Sequence, residues 1–331
     1  VGYATGSLKT LSGSVEKITE TQMNKDQISF PLEAIRGRVP GLTIQRGSNG
    51  PAALDAVRLR GTTSLTSGND PLIIVDGVFG DLSMLTSIYP TDIESFTILK
   101  DASETAQYGS RGASGVIEVT SNQGLPGCTL VAFTGSFGLC SVYKNLKMLS
   151  GDEYRRVASE RGISILDKGN NTDFQKEIEQ TGLQQNHHIA FYGGSSESSY
   201  RVSLGFMDRQ GVILNEDMKN FTSNMNMNQK MFDGFLNCEL GMFGSIQKNH
   251  NLVDYQKTFY SAATINPTYP NHKDPVTNSW DGITTASQIT NPLAWMEVQD
   301  DDATSHISTP ARRTCNLLEG LNLNLFGAET Y

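Results

Sequence analysis

The chain has 331 residues, a hydrophobic share of 37% and a formal net charge of −9. This acidic balance excludes a basic nucleic-acid-binding protein, and no run approaches the ~18 consecutive apolar residues of a membrane-spanning helix. The length allows two domains. No signal peptide precedes the first motif, so we expect a processed or truncated start.

The first part of the chain predicts a small α/β unit. Pro31 suits the first turn of a short helix over Leu32–Arg36, which Gly37 ends. Strands are predicted at Leu42–Gln45, Ala56–Arg60, Leu72–Val75, Ile93–Leu99 and Val116–Val119. Asp76-Gly77 predicts a turn, and Asp101 is expected to cap a helix that runs to Tyr108.

After about residue 126 the hydrophobic pattern changes to a period of two. Phe221, Met225 and Met227, for example, share a strand face, with asparagines on the opposite face. Six strands long enough to cross a membrane (~9–11 residues) are predicted. They cover roughly residues 131–137, 187–193, 200–206, 220–228, 236–246 and 316–325.

The predicted strands are joined by alternating short and long connections. Residues 195–198 and 232–234 form tight turns, whereas residues 142–184, 210–219 and 249–312 form long connections. Short turns at one end and long loops at the other are typical of outer-membrane barrels. A soluble β-sandwich would show the same alternation, but it has no reason to segregate its loops.

Three pieces of sequence carry a resemblance to a known family. Residues 69–78 read NDPLIIVDGV, residues 98–103 read ILKDAS and residues 108–117 read YGSRGASGVI. In order and spacing they resemble the plug domain of TonB-dependent outer-membrane transporters of the SusC/RagA branch. Shorter motifs at residues 11–15, 35–42 and 57–61 agree with this resemblance, and residues 1–6 resemble the end of a TonB box.

The resemblance implies a division of the chain. Residues 1–6 would be a remnant of the TonB box, in which Val1, Gly2 and Tyr3 engage TonB by strand addition. Residues 7–126 would form the α/β plug. Residues 127–331 would form the N-terminal part of the antiparallel transmembrane β-barrel, about six of the family's 22 strands, with long extracellular loops. Because six strands cannot enclose the plug, the resemblance implies a fragment of a longer transporter or a truncated gene.

The resemblance also implies a function, which is import of oligosaccharides or peptides across the outer membrane of a Gram-negative bacterium. The plug would gate the barrel lumen, TonB would act from the periplasm, and a SusD-like surface lipoprotein would cover the loops. The barrel would contact outer-membrane lipid, and neither a cofactor nor a nucleic acid is expected. The alternative is a non-transporting module that binds TonB or a SusD-like lipoprotein.

Charged residues and glycines stand at the plug motif positions. Six charged residues are expected to pair with the barrel wall: Arg58, Arg60, Asp76, Lys100, Asp101 and Arg111. Six glycines are expected to form turns within the plug: Gly41, Gly61, Gly77, Gly109, Gly112 and Gly115. The glycines of 109–115 follow a helix and precede a strand, the wrong order for a nucleotide-binding loop, so the turn interpretation is favoured.

The longest predicted loop contains several aromatic residues beside acidic and amide side chains. They are Tyr255, Tyr260, Tyr269, Trp280 and Trp295. One hypothesis is that they stack on sugars or peptides. The other is that they pack the loop against itself or against a partner, and the sequence leaves both open.

Metal binding and catalysis have little support in the sequence. His187 and His188 are adjacent, so on a strand they point to opposite faces and cannot chelate one ion. Asp300–Asp302 could bind Ca²⁺, although a solvated acidic loop is favoured. The four cysteines lack CxxC spacing, and Cys128 and Cys140 either pair or stay as free buried thiols. No nucleophile elbow is present, so no enzyme is predicted.

Overall fold

The computed structural model describes residues 15–24, 28, 30–45, 47, 50–53, 56–59, 61, 68–127, 129–282, 291–318 and 321–331. They form an N-terminal unit, residues 15–121, and a seven-stranded sheet over residues 130–330 that we call the wall. Among the helices of these residues, none combines the length and the hydropathy needed to cross a membrane.

The N-terminal unit contains seven short strands and one short α-helix among the described residues. The strands are β1 Val15–Thr19, β2 Leu42–Gln45, β3 Ala56–Leu59, β4 Leu72–Val75, β5 Val78–Gly80, β6 Ile93–Leu99 and β7 Val116–Ser121, and the helix is α1 Ala102–Thr105. Five 3₁₀ turns cover Glu20–Gln22, Pro31–Ile35, Leu82–Ser87, Pro90–Asp92 and Ala106–Gly112. Five strands pair in the order β1-β6-β7-β4-β5, with only β4 and β7 parallel, and β2 pairs with β3.

Most predicted elements of this unit are confirmed. The strands at Leu42–Gln45, Leu72–Val75 and Ile93–Leu99 have the predicted bounds. All four residues of β4 are buried, as its uninterrupted apolar run indicates. Two of them belong to the main hydrophobic core, together with Phe96, Ile98 and Ile117, and the other two belong to a smaller hydrophobic core. The first predicted helix is a 3₁₀ helix of the predicted length, shifted by one residue to Pro31–Ile35. The second is α-helical only over Ala102–Thr105 and continues as 3₁₀, and Gly109, predicted to end it, takes a non-helical backbone conformation.

The wall is a continuous antiparallel sheet in chain order. Its strands are β8 Leu130–Cys140, β9 Gly182–Gly194, β10 Ser198–Gln210, β11 Asp217–Met231, β12 Leu236–Leu252, β13 Gln299–Leu318 and β14 Leu321–Thr330. Helices α2 Gly151–Glu160 and α3 Phe174–Glu177 lie between β8 and β9, and α4 Tyr255–Thr264 and α5 Pro292–Trp295 lie between β12 and β13. Within the described residues, β8 and β14 each pair with one neighbour and form the two edges.

The prediction of six wall strands is wrong by one, because β13 lies mostly in the segment expected to be a loop. The predicted sixth strand is in fact the end of β13 and the start of β14. Pro310, which lacks a backbone N–H, interrupts the pairing between β12 and β13 opposite Gly241 and Met242, and the register is the same on both sides of the gap. The triple Asp300–Asp302 is exposed, as expected, but it lies on this strand rather than in a loop.

The two faces of the wall have opposite character, as the alternation predicts. On β11, Phe221 and Met227 are 45% and 43% exposed, whereas Asn224 and Asn226 are 3% and 7% exposed. Apolar residues therefore point outward, and polar residues point inward toward the N-terminal unit. A soluble sandwich would bury the apolar face instead.

The connections divide the wall into two ends. The described parts of the long connections, residues 141–181, 211–216, 253–282 and 291–298, lie at what we call the loop end. The tight turns at residues 195–197 and 232–235 lie at the turn end. The long connections share a hydrophobic core of their own, in which Phe174, Ile178, Ile213 and Met296 are buried. The loop end is thus a packed layer rather than a set of separate loops.

Candidate functional site

The strongest contact between the N-terminal unit and the wall is centred on Asp92. Pro90 opens a 3₁₀ turn that delivers Asp92 directly before β6, and the side chain of Asp92 is 2% exposed. Arg201 Nη2 lies 2.6 Å from Asp92 Oδ1, and His188 Nε2 lies 2.8 Å from the same oxygen. Ser203 Oγ donates to Asp92 Oδ2 at 2.7 Å. We call these four residues the Asp92 cluster.

Alternation along the wall strands places the three partners on one face. His188 lies on β9, and Arg201 and Ser203 lie two residues apart on β10, so all three point inward. Each of them is at most 5% exposed. A buried ion pair of this kind stabilises chiefly by penalising the loss of either partner, because the remaining charge would be left unpaired.

The charge of Asp92 is maintained in spite of its burial. Burial by itself raises the pKa of the Asp92 carboxyl, but the hydrogen bond from His188, the charge of Arg201 and the bond from Ser203 together lower it below its ordinary value. The neighbouring Tyr89 ring stacks on His188 with centroids 4.6 Å apart. Burial, with a smaller effect from the Asp92 charge, raises the pKa of Tyr89 to about 12.

Further polar contacts continue along the inward face of β11 and β12. Asn226 Nδ2 donates to Ser121 Oγ at 2.9 Å and to the Asn122 carbonyl at 3.1 Å. Asn220 Nδ2 donates to the Thr86 carbonyl at 3.0 Å. The inward asparagines therefore donate hydrogen bonds to backbone carbonyls and to a hydroxyl of the N-terminal unit.

Two glycines allow the closest approaches between the unit and the wall. A Cβ at Gly205 would lie 2.4 Å from Tyr89 Cδ2, and a Cβ at Gly124 would lie 2.5 Å from the Tyr200 backbone. A side chain at Gly205 would displace the Tyr89 ring and the Thr222 hydroxyl, and one at Gly124 would push the Tyr200 backbone away. The segment that leaves β7 is thus held against the wall at the start of β10.

Asp76 lies at a second contact, near the turn end. It accepts from Ser121 N at 2.9 Å and from Ser121 Oγ at 2.6 Å. Burial raises the pKa of Asp76, which these bonds and the charge of Arg312 only partly offset. A cavity of about 120 Å³ separates Asp76 from Arg312, whose guanidinium lies 3.5 Å from Glu239 and over the Phe326 ring at 5.5 Å.

Glu216 forms the contact at the loop end. The Glu216 side chain is 3% exposed, and its Oε2 has no hydrogen-bond partner in the described part of the chain. A Cβ at Gly50 of the N-terminal unit would lie 2.9 Å from Glu216 Oε1, so the unit and the β10–β11 connection touch here. Burial raises the pKa of Glu216 to about 7. Burial and then the Glu216 charge raise the pKa of Tyr255 to about 12.

The structure gives several charged residues of the plug motifs a different place from the one predicted. Arg58 lies 3.7 Å from Asp70, and Lys100 lies 2.5 Å from Glu16, so both form ion pairs inside the N-terminal unit. Asp101 occupies the N-cap position of α1, and Arg111 is exposed. Asp76 faces the wall residue Arg312 across the cavity. Arg60 lies outside the described residues, as do Val1, Gly2 and Tyr3.

Sequence reasoning missed the Asp92 cluster. The parity of Arg201 and Ser203 marks them as inward, but nothing along the sequence indicates which residue of the N-terminal unit they meet. The glycines expected at turns have positive φ at Gly41, Gly61, Gly77, Gly109 and Gly115. Gly112 instead allows close packing, because a Cβ there would lie 2.8 Å from the Thr105 carbonyl oxygen.

The loop aromatics are distributed over the layer at the loop end. Tyr255 and Tyr269 pack against its hydrophobic core, and Tyr255 contacts Phe259 with ring centroids 4.9 Å apart. Trp295 lies beneath Lys257 and Trp280 beneath Lys273, at 5.3 Å and 5.8 Å. Tyr260 is 71% exposed. Tyr255 and Tyr269 thus suit the hypothesis of packing within the loop, and the exposed Tyr260 suits the hypothesis of stacking on sugars or peptides.

Metal ligands and thiols do not assemble into a site in the described residues. No group of three or more His, Cys, Asp or Glu side chains there is arranged to hold an ion. His188 points inward to Asp92, and His187 points outward between Phe133 and Phe137. Cys140, Cys238 and Cys315 are half-buried free thiols, and Cys128 lies outside the described residues.

Comparison with known proteins agrees with this architecture. The family described as TonB-dependent Receptor Plug Domain matches residues 7–116. The TonB-dependent receptor SusC of Bacteroides thetaiotaomicron is 31% identical over 92% of this chain and 33% of its own length. The TonB-dependent receptor P3 of Formosa agariphila is 36% identical over 67% of this chain and 22% of its own length. The chain thus spans about a third or less of the curated relatives it matches.

A solved structure shows the same fold. The RagAB peptide importer in its open-open state superimposes with a TM-score of 0.79, covering 99% of this chain and 42% of that chain at 22% identity. An N-terminal plug followed by an antiparallel wall with polar residues inward is the architecture of a TonB-dependent receptor. This chain belongs to that family, on its SusC/RagA-like branch.

Proposed function

We propose that this chain supplies the plug and the first barrel strands of a TonB-dependent importer in a Gram-negative outer membrane. The observation that carries the proposal is the inverted wall: its apolar rows are exposed and its polar rows are buried against the N-terminal unit. A sheet with this polarity suits hydrocarbon outside and a plugged polar lumen inside. Residues 7–126 would be the plug and residues 127–331 the first part of the barrel.

The proposed partners follow from the two ends of the wall. TonB would pair with residues 1–3 by strand addition, and its pull would be resisted by the Asp92 cluster. A SusD-like lipoprotein would cover the packed layer at the loop end. Oligosaccharides or peptides are the proposed cargo, and exposed aromatics such as Tyr260 and the half-buried Trp280 and Trp295 would contact it. The proposal requires no cofactor and no catalytic residue.

Growth on the cargo tests the proposal. The gene containing this chain is deleted, and the strain is grown on defined oligosaccharides or on peptides as the only source of carbon. Complementation should restore growth on one of these classes, and only in cells that contain TonB. Complementation without residues 1–6 should leave the protein in the membrane but abolish growth. Binding of the cargo with no TonB-dependent uptake would instead support a non-transporting binding module.

A further inference from the structure

The outward face of the wall has an apolar band. Four successive outward rows across β10, β11 and β12 are largely apolar. From the loop end they are Phe206–Phe221–Ile246, Leu204–Ser223–Gly244, Val202–Met225–Met242 and Tyr200–Met227–Leu240. At ~3.4 Å per residue the band measures ~20 Å along the strands, which corresponds to ~15 Å of membrane height at the ~40° tilt of barrel strands. The next row toward the turn end, Ser198–Gln229–Cys238, is polar in two of its three members.

The row directly above the band, toward the loop end, contains two lysines side by side. Lys219 of β11 and Lys248 of β12 are paired in register, and both are exposed on the outward face. Directly opposed side chains on neighbouring strands have Cβ atoms ~5 Å apart, and like charges in that position destabilise the pair. An anion bound between the two ammonium groups would remove this repulsion.

The acidic residues around the lysines already have other partners. Asp208, opposite Lys219 on β10, accepts from Gln185 Nε2 at 3.2 Å. Asp217 lies 2.7 Å from His250 Nδ1. Asp301, diagonal to Lys248 on β13, lies 3.9 Å from His250 Nε2. Lys248 is flanked in its row by Lys219 and by Ala303. Neither lysine forms an ion pair with a described residue, so the Lys248 side of the row lacks a counter-ion.

We propose that Lys219 and Lys248 bind the phosphate of an anionic lipid whose acyl chains lie on the apolar band. This inference rests on the proposed membrane location of the wall. Lysine is a point-charge ligand for phosphate, and the next row down, Phe206, Phe221 and Ile246, offers an apolar surface for the chains of the same molecule. A lipid satisfies both features at once, whereas a free anion would use only the lysines.

Titration of the purified full-length protein in detergent tests the site. The probes are diphosphorylated lipid A, its dephosphorylated counterpart and inorganic phosphate, with binding read by native mass spectrometry. Lys219→Gln/Lys248→Gln should bind the phosphorylated lipid about 30-fold more weakly than the wild type, from the usual contribution of each lysine near a charged membrane surface. Lys144→Gln/Lys147→Gln, which removes the same charge from the exposed segment 141–149, should bind it as the wild type does.

Three results would overturn the proposal. The first is that the double glutamine variant binds the phosphorylated lipid as tightly as the wild type does. The second is that the wild type binds the dephosphorylated lipid as tightly as the phosphorylated one, and the third is that inorganic phosphate binds as well as the phosphorylated lipid. If the glutamine variant does not assemble, Lys219→Arg/Lys248→Arg keeps the charge and should retain binding, and loss of binding there also counts against the site. Outer-membrane fractionation and the growth assay are run in parallel. A wild-type protein absent from the membrane refutes the proposed function, whereas a failed titration with normal growth refutes only the lipid site.

Discussion

At the scale of single residues, the attachment of the plug to the wall depends on a few buried polar groups. The carboxylate of Asp92 contacts two basic side chains and one hydroxyl. Because these groups are withdrawn from water, each is tolerated only while the others remain. Asp92 is therefore the side chain whose loss should loosen the plug most.

Replacing Asp92 with Asn should weaken the attachment strongly. Asp92→Asn leaves Arg201 buried without its counter-ion, which should cost about 3–5 kcal/mol. The thermal unfolding midpoint of the full-length protein should fall, and cells should become permeable to large antibiotics. Asp233→Asn, in an exposed turn with positive φ that asparagine tolerates, is the matched control. An unchanged midpoint in Asp92→Asn would show that the cluster does not hold the plug.

Glu216 should make the stability depend on pH. Its pKa is 4.5 in the unfolded chain and about 7 when folded. A raised folded pKa means that the stabilisation of the neutral carboxyl is complete below pH 4.5 and is lost as the pH rises toward 7. Glu216→Gln should thus match the wild type at pH 4 and exceed its stability by up to about 3 kcal/mol at pH 8.

Thermal unfolding of the wild type and of Glu216→Gln between pH 4 and pH 8 measures this difference. Glu197→Gln, which changes an exposed carboxylate in the tight turn before β10, should run parallel to the wild type. Parallel curves for Glu216→Gln as well would mean that the Glu216 carboxylate is hydrated in solution.

At the scale of secondary-structure elements, side chains alternate along each wall strand, so that one strand presents an apolar face outward and a polar face inward. Each β11 residue that faces outward is apolar from Phe221 to Met227 except Ser223, and each inward residue there is polar. On β13, residues 299–305 are polar except for Ala303, so hydrophobic alternation does not identify a strand there. This is why β13, with its first residues in the loop-end layer and Pro310 in its middle, escapes prediction from the sequence.

A charge on the outward face of β11 should prevent assembly. Met225 lies in the middle of the apolar band, and arginine at the bilayer midplane of a barrel costs ~2–4 kcal/mol. Met225→Arg should reduce the folded, heat-modifiable form of the full-length protein in outer-membrane fractions. Asn226 is unsuitable as a control because it is 7% exposed and bonded to Ser121.

Asn228→Arg provides the matched control on the inward face. Asn228 is half-buried and pairs in register with Glu239, so an arginine there has an acidic neighbour. Asn228→Arg should assemble nearly as the wild type does. Equal assembly of both variants would contradict the assignment of the outward face to lipid.

At the scale of the whole molecule, the two ends of the wall should lie on opposite sides of the membrane. The segment 141–149 at the loop end is mostly exposed and contains no helix or strand, and residues 232–234 form the tight turn at the other end. An epitope inserted after Lys144 should be labelled by antibody on intact cells. An epitope inserted after Asp233 should be labelled only after the outer membrane is permeabilised. Labelling of both on intact cells, or of neither, would refute this topology.

The sequence by itself determined the class of the protein, the plug strands and the polarity of the wall. These features are local: motif spacing, an apolar run such as Leu72–Val75 and period-two alternation all arise within a few consecutive residues. It did not reveal β13, the pairing of Arg58 and Lys100 inside the plug, or the partners of Asp92. Those depend on contacts between separate segments, from Arg58 with Asp70, 12 positions apart, to Asp92 with Ser203, 111 positions apart. Only the tertiary structure decided them, because burial, which gives a charge its energetic weight, exists only when distant segments pack together.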